Sequence, residues 1–158
     1  VNLKYINLHE SSVETIDFAG FSQCISMEGV KLPNSLKRIN NYAFAWCKSL
    51  IVINLSACSL LERIGDGGFG DCYSLVAVYL PTKSLQRIGE MAFCRCHSLI
   101  SVELPSIVQV NDATFFRCRT LDLRQPHSIT WAEDGAIRRS RESTRYLKHR
   151  FDALLLHK

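Results

Sequence analysis

The chain has 158 residues, 47% of them hydrophobic and 22% charged, with a formal net charge of +4. That balance excludes an intrinsically disordered polyelectrolyte, and no run approaches the ~18 consecutive apolar residues of a membrane-spanning helix. The positive charge is localised: residues 1–124 hold 12 basic and 11 acidic side chains, whereas residues 125–158 hold 7 basic and 4 acidic ones.

The chain opens on Val1, and Leu3, Ile6 and Leu8 are spaced like the end of a unit that recurs downstream. A start inside a unit, without an initiator Met, is what a piece of a longer protein would show. The first full copy of that unit runs Val13, Ile16, Phe21, Cys24, Met27, Val30, Leu32. The second is Leu36, Ile39, Phe44, Cys47, Leu50, Ile53, Leu55, and the third Leu61, Ile64, Phe69, Cys72, Leu75, Val78, Leu80. The fourth is Leu85, Ile88, Phe93, Cys96, Leu99, Val102, Leu104; the fifth, Ile107, Val110, Phe115, Cys118, Leu121, ends early. Copies begin 23, 25, 24 and 22 residues apart. Self-similarity at this period predicts an α/β repeat solenoid, in which each rung packs only on its neighbours.

Each copy divides in two. Its last segment alternates, as in Leu75-Val76-Ala77-Val78-Tyr79-Leu80, so one set of side chains points inward and the other outward, the period of a β-strand. Pro33, Pro81 and Pro105 follow directly and end the strand, lacking an N–H for the ladder. One strand per copy, stacked in parallel, predicts a continuous sheet. The first segment, Leu-x-x-Ile, reads as a short strand, with Asn40, Gly65 and Gly89 suited to the turn that follows. Phe and Cys then stand three apart, the spacing of one helical turn. A small residue comes before the Phe in each copy (Gly20, Ala43, Gly68, Ala92 and, in the fifth, Ala113), which lets rungs stack closely. The Phe column is the expected apolar filling of that side.

Five of the seven cysteines (Cys24, Cys47, Cys72, Cys96, Cys118) share one repeat position, so they read as a column of small buried fillers rather than disulfides or ligands. Cys58 and Cys94 lie outside it, and Cys94-Arg95-Cys96 is too short and isolated for a zinc site with four convergent ligands. No metal and no cofactor is expected. Beyond Leu121 the spacing stops. Residues 122–136 read as a linker, and 137–158 as a basic amphipathic helix with Leu147, Phe151, Leu154 and Leu155 on one side. A polar-faced cap over the open solenoid end, or a junction to a following domain, suits such a helix better than a membrane or nucleic-acid role. Glu133, Asp134, Glu142 and Asp152 dilute the charge that phosphate binding needs.

The full unit, Leu-x-x-Ile-Gly-x-x-Ala-Phe-x-x-Cys-x-Ser-Leu-x-x-Val-x-Leu-Pro, resembles the BspA-like leucine-rich repeat over about residues 1–121. Ser84-Leu85, Ile88-Gly89, Ala92-Phe93, Cys96-His97-Ser98-Leu99 and Val102-Glu103-Leu104-Pro105 carry the likeness. The resemblance implies a right-handed solenoid with its parallel sheet on the concave face, short convex strands and helical turns. It also implies binding rather than catalysis, since many members are surface proteins that adhere to other proteins. Cell-surface placement rests on that resemblance alone; seven cysteines without a pairing pattern fit a reduced compartment instead.

Function on such a scaffold belongs to side chains that point away from the repeat core. The candidate partner-binding residues are Tyr5, Lys31, Ile51, Val52, Asn54, Val76, Ala77, Tyr79, Ile100, Ser101 and Glu103. Ile51, Val52, Val76, Ala77 and Ile100 form an expected apolar cluster with Tyr79 near its centre, and such a cluster is a signal of protein binding. Alternatively the cluster is covered by other parts of the same protein, and this segment is a spacer or cap. A third reading makes it the regulatory repeat region of an enzyme whose chemistry lies elsewhere. Catalysis within the chain has little support: the five histidines (His9, His97, His127, His149, His157) are scattered, with no nucleophile and acid at triad spacing.

Overall fold

A computed structural model of the chain describes residues 3–102, 104, 105, 108–111 and 113–121. The architecture is a parallel β-solenoid of about four turns. Among the described residues nine short strands alternate between two kinds. One kind is β1 (Tyr5–Asn7), β3 (Gly29–Lys31), β5 (Val52–Asn54) and β7 (Ala77–Tyr79), of three residues each, with β9 (Ser101–Val102) in register after them. The other kind, of two residues each, is β2 (Thr15–Ile16), β4 (Arg38–Ile39), β6 (Arg63–Ile64) and β8 (Arg87–Ile88). The short strands form one parallel sheet in the order β2-β4-β6-β8, with each Ile opposite the Ile of the next rung.

The other sheet is not continuous. β1 pairs with β3, and β5 pairs with β7 and β9, but no ladder joins β3 to β5. A single backbone bond, Ile51 N–H to the Glu28 carbonyl at 3.1 Å, crosses the junction. Cross-strand side-chain pairs are what stabilise a sheet, and Gly29 has no side chain to set beside Val52; a glycine inside a strand weakens it.

No helix occurs among the described residues, so the Phe-x-x-Cys segment is not the helical turn its spacing suggested. It is a run of tandem turns whose N–H groups alternate between two partners. Gly20, Ser22 and Cys24 donate three residues back, to the carbonyls of Asp17, Ala19 and Phe21. Between them Ala19, Phe21 and Gln23 donate to the next rung, to the carbonyls of Asn41, Ala43 and Ala45. Tyr42, Phe44 and Trp46 repeat this toward Asp66, Gly68 and Gly70, as do Gly67, Phe69 and Asp71 toward Glu90, Ala92 and Cys94. An α-helix would spend all of these donors within its own rung. The alternation requires left-handed backbone two residues before and two after the Phe: Ala19 and Gln23, Tyr42 and Trp46, Gly67 and Asp71, Met91 and Arg95 have φ between 53° and 60°. None of them is β-branched, the class for which that region is most strained.

The core is a set of columns. Phe44, Phe69 and Phe93 are fully buried, and Phe21 and Phe115 pack at the two ends. Their rings stack nearly parallel, with centroids 5.2, 5.1, 5.4 and 5.6 Å apart along the series. Those spacings lie within the range of favourable aromatic pairs, each worth about 0.5–1.5 kcal/mol beyond its area. Leu36, Leu61 and Leu85, then Leu50, Leu75 and Leu99, run beside them, all fully buried.

The cysteine column is more than filler. Four of its five thiols donate to the Phe carbonyl one rung back: Cys47 to Phe21 (3.1 Å), Cys72 to Phe44 (3.2 Å), Cys96 to Phe69 (3.3 Å) and Cys118 to Phe93 (2.9 Å). Cys47, Cys72 and Cys96 are buried, Cys24 and Cys118 half-buried, and no disulfide forms among the described residues. Cys58 is buried too, with Sγ 3.5 Å from the Pro33 carbonyl. The thiols of Cys72 and Cys96 are pushed well above the ordinary range, first by the contact each makes with a neighbouring thiol (Cys47 and Cys118) and then by burial.

The turn glycines serve close approach rather than a special φ. A Cβ on Gly65 would lie 2.6 Å from the Asn41 nitrogen, and one on Gly89 would lie 2.5 Å from the Asp66 nitrogen. The fifth copy replaces the small residue before Phe with Thr114, fully buried, whose hydroxyl donates 3.3 Å to the Gly89 carbonyl.

Phe69→Ala should destabilise by roughly 3–5 kcal/mol in denaturant titration. Hydrogen exchange should then quicken in the adjacent copies as well; a change confined to residues 61–80 would contradict nearest-neighbour coupling. Gly89→Ala should cost about 1–3 kcal/mol, because the backbone of Gly65 and Asp66, and not only the Asp66 side chain, opposes the new methyl. A raised thiol pKa means that the folded state holds its proton more tightly. Stability from Cys72 and Cys96 is therefore complete below the unfolded value of about 8.5 and declines as pH rises toward the folded values. The urea midpoint should be flat at neutral pH and fall above about pH 9, and Cys72→Val/Cys96→Val should flatten that fall.

Candidate partner-binding face

Period-two alternation turns one side chain in two of β5, β7 and β9 away from the core. The register sets Val52 opposite Ala77 and Ala77 opposite Ser101, and Asn54 opposite Tyr79. One residue before each strand, Val76 N–H donates to the Ile51 carbonyl (2.8 Å) and Ile100 N–H to the Val76 carbonyl (3.1 Å). Ile51, Val76 and Ile100 thus stack on three successive rungs beside the Val52–Ala77 pair. Tyr79, Ile100, Ile51 and Val52 are 54, 55, 46 and 38% exposed. Val76 and Ala77 are half-buried, and Asn54 is exposed. The apolar cluster read from the sequence is therefore brought together. Ser101 joins it by backbone register alone, and Glu103 lies outside the described residues, as does the expected C-terminal helix.

Tyr5 and Lys31 belong to the separate β1-β3 sheet, where Tyr5 faces Gly29 and Lys31 faces Asn7. The Tyr5 ring lies against Gly29, where an added Cβ would be 3.3 Å from its Cδ1. Its hydroxyl donates to Glu28 Oε2 at 2.8 Å, and Lys4 Nζ sits 2.8 Å from Glu28 Oε1. The bonds from Lys4 and then Tyr5 hold the Glu28 carboxyl below its usual range. This end of the face is a closed polar network, distinct in chemistry from the open apolar end.

Other groups at or near the surface were not singled out from the sequence. Phe18, Tyr42 and Trp46 cluster at the tandem turns, with Phe18 edge-on to Tyr42 at 5.9 Å and Tyr42 stacked on Trp46 at 6.2 Å. Tyr73 stacks on His97 at 5.1 Å beneath Lys48. Arg95 pairs with Asp71 at 3.3 Å. The signal available for each was its repeat position, two or three before Phe or within two of Cys, where no core role is required.

Stacked two-sheet rungs, an inward Leu/Ile/Val lattice and one outward face of three-residue strands define the leucine-rich repeat class of solenoid. The BspA type leucine-rich repeat region matches in six copies, over residues 1–122 and 62–143. The chain belongs to that family. The second stretch runs past Leu121, through the segment read as linker (122–136) and into that read as a basic helix (137–158). The leucine-rich repeat protein TpLRR of T. pallidum is 34% identical, with a TM-score of 0.65 over 69% of this chain and 50% of its own. A leucine-rich repeat protein from Bacteroides ovatus is 26% identical, with a TM-score of 0.51 over 76% of this chain and 36% of its own. One from Eubacterium ventriosum, at 20% identity and a TM-score of 0.53, shares the fold, covering 81% of this chain and 40% of its own. The chain thus spans half or less of the length of these structures. No curated protein sequence matches it.

Proposed function

We propose that the chain is a non-catalytic repeat scaffold that binds a protein partner across the outward face of β5, β7 and β9. The observation that carries this reading is the run of Ile51, Val52 and Ile100 with Tyr79, exposed on three successive rungs of a rigid sheet. Apolar side chains rimmed by polar groups such as Asn54 suit an interface core, and a central tyrosine is a common energetic anchor. Rigid strands present that surface with little ordering cost on binding. The binding role that the family resemblance implies agrees with this reading.

Val52→Asp with Tyr79→Ala should leave the melting temperature nearly unchanged, since both side chains point outward. The double variant should lose proteins that the wild-type chain retains in affinity capture from its native source. Equal retention by both would remove this face from consideration. Self-association of the wild-type chain in light scattering, abolished by the double variant, would instead favour a face covered within a larger assembly.

A further inference from the structure

The outward sheet is interrupted at one place. β1 pairs with β3, and β5 with β7 and β9, but no ladder joins β3 to β5. Before the strands one backbone bond spans that junction, Ile51 N–H to the Glu28 carbonyl at 3.1 Å, and beyond them Cys58 Sγ lies 3.5 Å from the Pro33 carbonyl. Among the described residues no side-chain hydrogen bond or ion pair joins 28–32 to 51–55. The polar groups of the β1–β3 side turn to one another instead: Tyr5 and Lys4 both bind Glu28. Packing beneath the junction is looser too. Val30 is not at the end of the stack, since β1 lies beyond it, yet it is half-buried. Ile53, Val78 and Val102 hold the same place in the next three copies and are buried.

The same two copies are joined firmly on the turn side. β2 and β4 form a ladder that sets Ile16 opposite Ile39. Ala19, Phe21 and Gln23 donate to the carbonyls of Asn41, Ala43 and Ala45 at 3.1, 2.8 and 2.8 Å. Phe21 stacks on Phe44 at 5.2 Å, and the Cys47 thiol donates to the Phe21 carbonyl. Local opening takes the path with the fewest bonds and the least buried apolar contact. Between these copies that path lies on the outward side alone. Gly29 stands at its middle, and a glycine inside a strand brings no side chain to pack across. Val52, Ala77 and Ser101, the next three residues of that column, each bring one.

We propose that the β3–β5 junction is a hinge set by Gly29. The outward sheet opens there while the turns stay closed, so the β1–β3 plate tilts against the β5–β7–β9 plate about the turn side. Hinges are a few residues, often small, between bodies that keep their internal bonds. Both plates meet that condition through their own ladders. The tilt changes the angle between the Lys4–Tyr5–Glu28 network and the apolar residues of β5, β7 and β9. A ligand lying along both plates therefore meets an adjustable surface. The hinge belongs to the frame and holds whether or not the apolar face is the surface that binds a protein.

The test is native-state amide exchange, followed by NMR on the full 158-residue chain. Ile51, Val76 and Ile100 donate the same bond at three successive junctions, to the carbonyls of Glu28, Ile51 and Val76. Relative to its intrinsic rate, Ile51 should exchange about tenfold or more faster than Val76, the scale of one backbone hydrogen bond. Ala19, Phe21 and Gln23, on the turn side, should stay as protected as Tyr42, Phe44 and Trp46. In Gly29→Thr a β-branched side chain stands beside Val52, and Ile51 should slow to the rate of Val76. A Cβ at position 29 lies 3.3 Å from Tyr5 Cδ1, so Tyr5→Ala/Gly29→Thr gives the same readout if the ring blocks the single variant. Equal rates for Ile51 and Val76 in the wild type would overturn the hinge. So would fast exchange of Ile51 together with Ala19, Phe21 and Gln23, the mark of fraying of the whole first copy. An Ile51 rate unchanged in both Gly29 variants would overturn the assignment to Gly29.

Discussion

At each Phe turn the backbone donors divide their obligations, one three residues back within the rung and the next across to the following rung. That division sets the rest of the structure. It fixes the rung spacing on the turn side, and the spacing in turn stacks the phenyl rings at 5.1–5.6 Å and brings four of the column thiols within reach of a Phe carbonyl one rung back. The left-handed residues that make it possible would cost about 1–2 kcal/mol each in isolation. Ala19, Gln23, Tyr42, Trp46, Gly67, Asp71 and Arg95 are held there by donating to the neighbouring copy. Buried backbone groups must find partners, and here every second donor of the turn finds its partner on the next rung.

Such a framework leaves its outward positions free. The two sheets use that freedom differently: β5, β7 and β9 present short apolar side chains and Tyr79, while β4, β6 and β8 present arginine. The first composition suits desolvation against a protein surface, and the second keeps its charge in water. Neither set is needed by the core, where Ile39, Ile64 and Ile88 occupy the inward position beside each arginine.

Most of the core could be read from the spacing alone, because a column position tolerates few residue types and repeats them. The inward Leu, Ile, Val, Phe and Cys sets all appear where the period put them, and period-two alternation placed Val52, Ala77 and Tyr79 outward. The tandem turns could not be distinguished from a helical turn: Phe-x-x-Cys satisfies a three-residue spacing in both, and Ala19, Tyr42, Trp46 and Met91 carry none of the usual left-handed markers. Residue type announced cysteine as a small apolar filler but not the direction of its S–H. The break between β3 and β5 turned on Gly29, a single absent side chain. The arginine column escaped notice because one exposed arginine per copy is unremarkable until register sets three of them side by side.

The sharing of turn donors with the following rung also governs how the molecule can vary in length. Every rung offers the next one the same acceptors in the same places, so a whole copy can be gained or lost by duplication without creating a new type of contact. A change of part of a copy has no such tolerance, except where slack exists, as in the two additional residues around Cys58 that lengthen one interval to 25. Homologous solenoids two or more times as long can therefore share this frame, and selection is left to act on the decoration of each added turn.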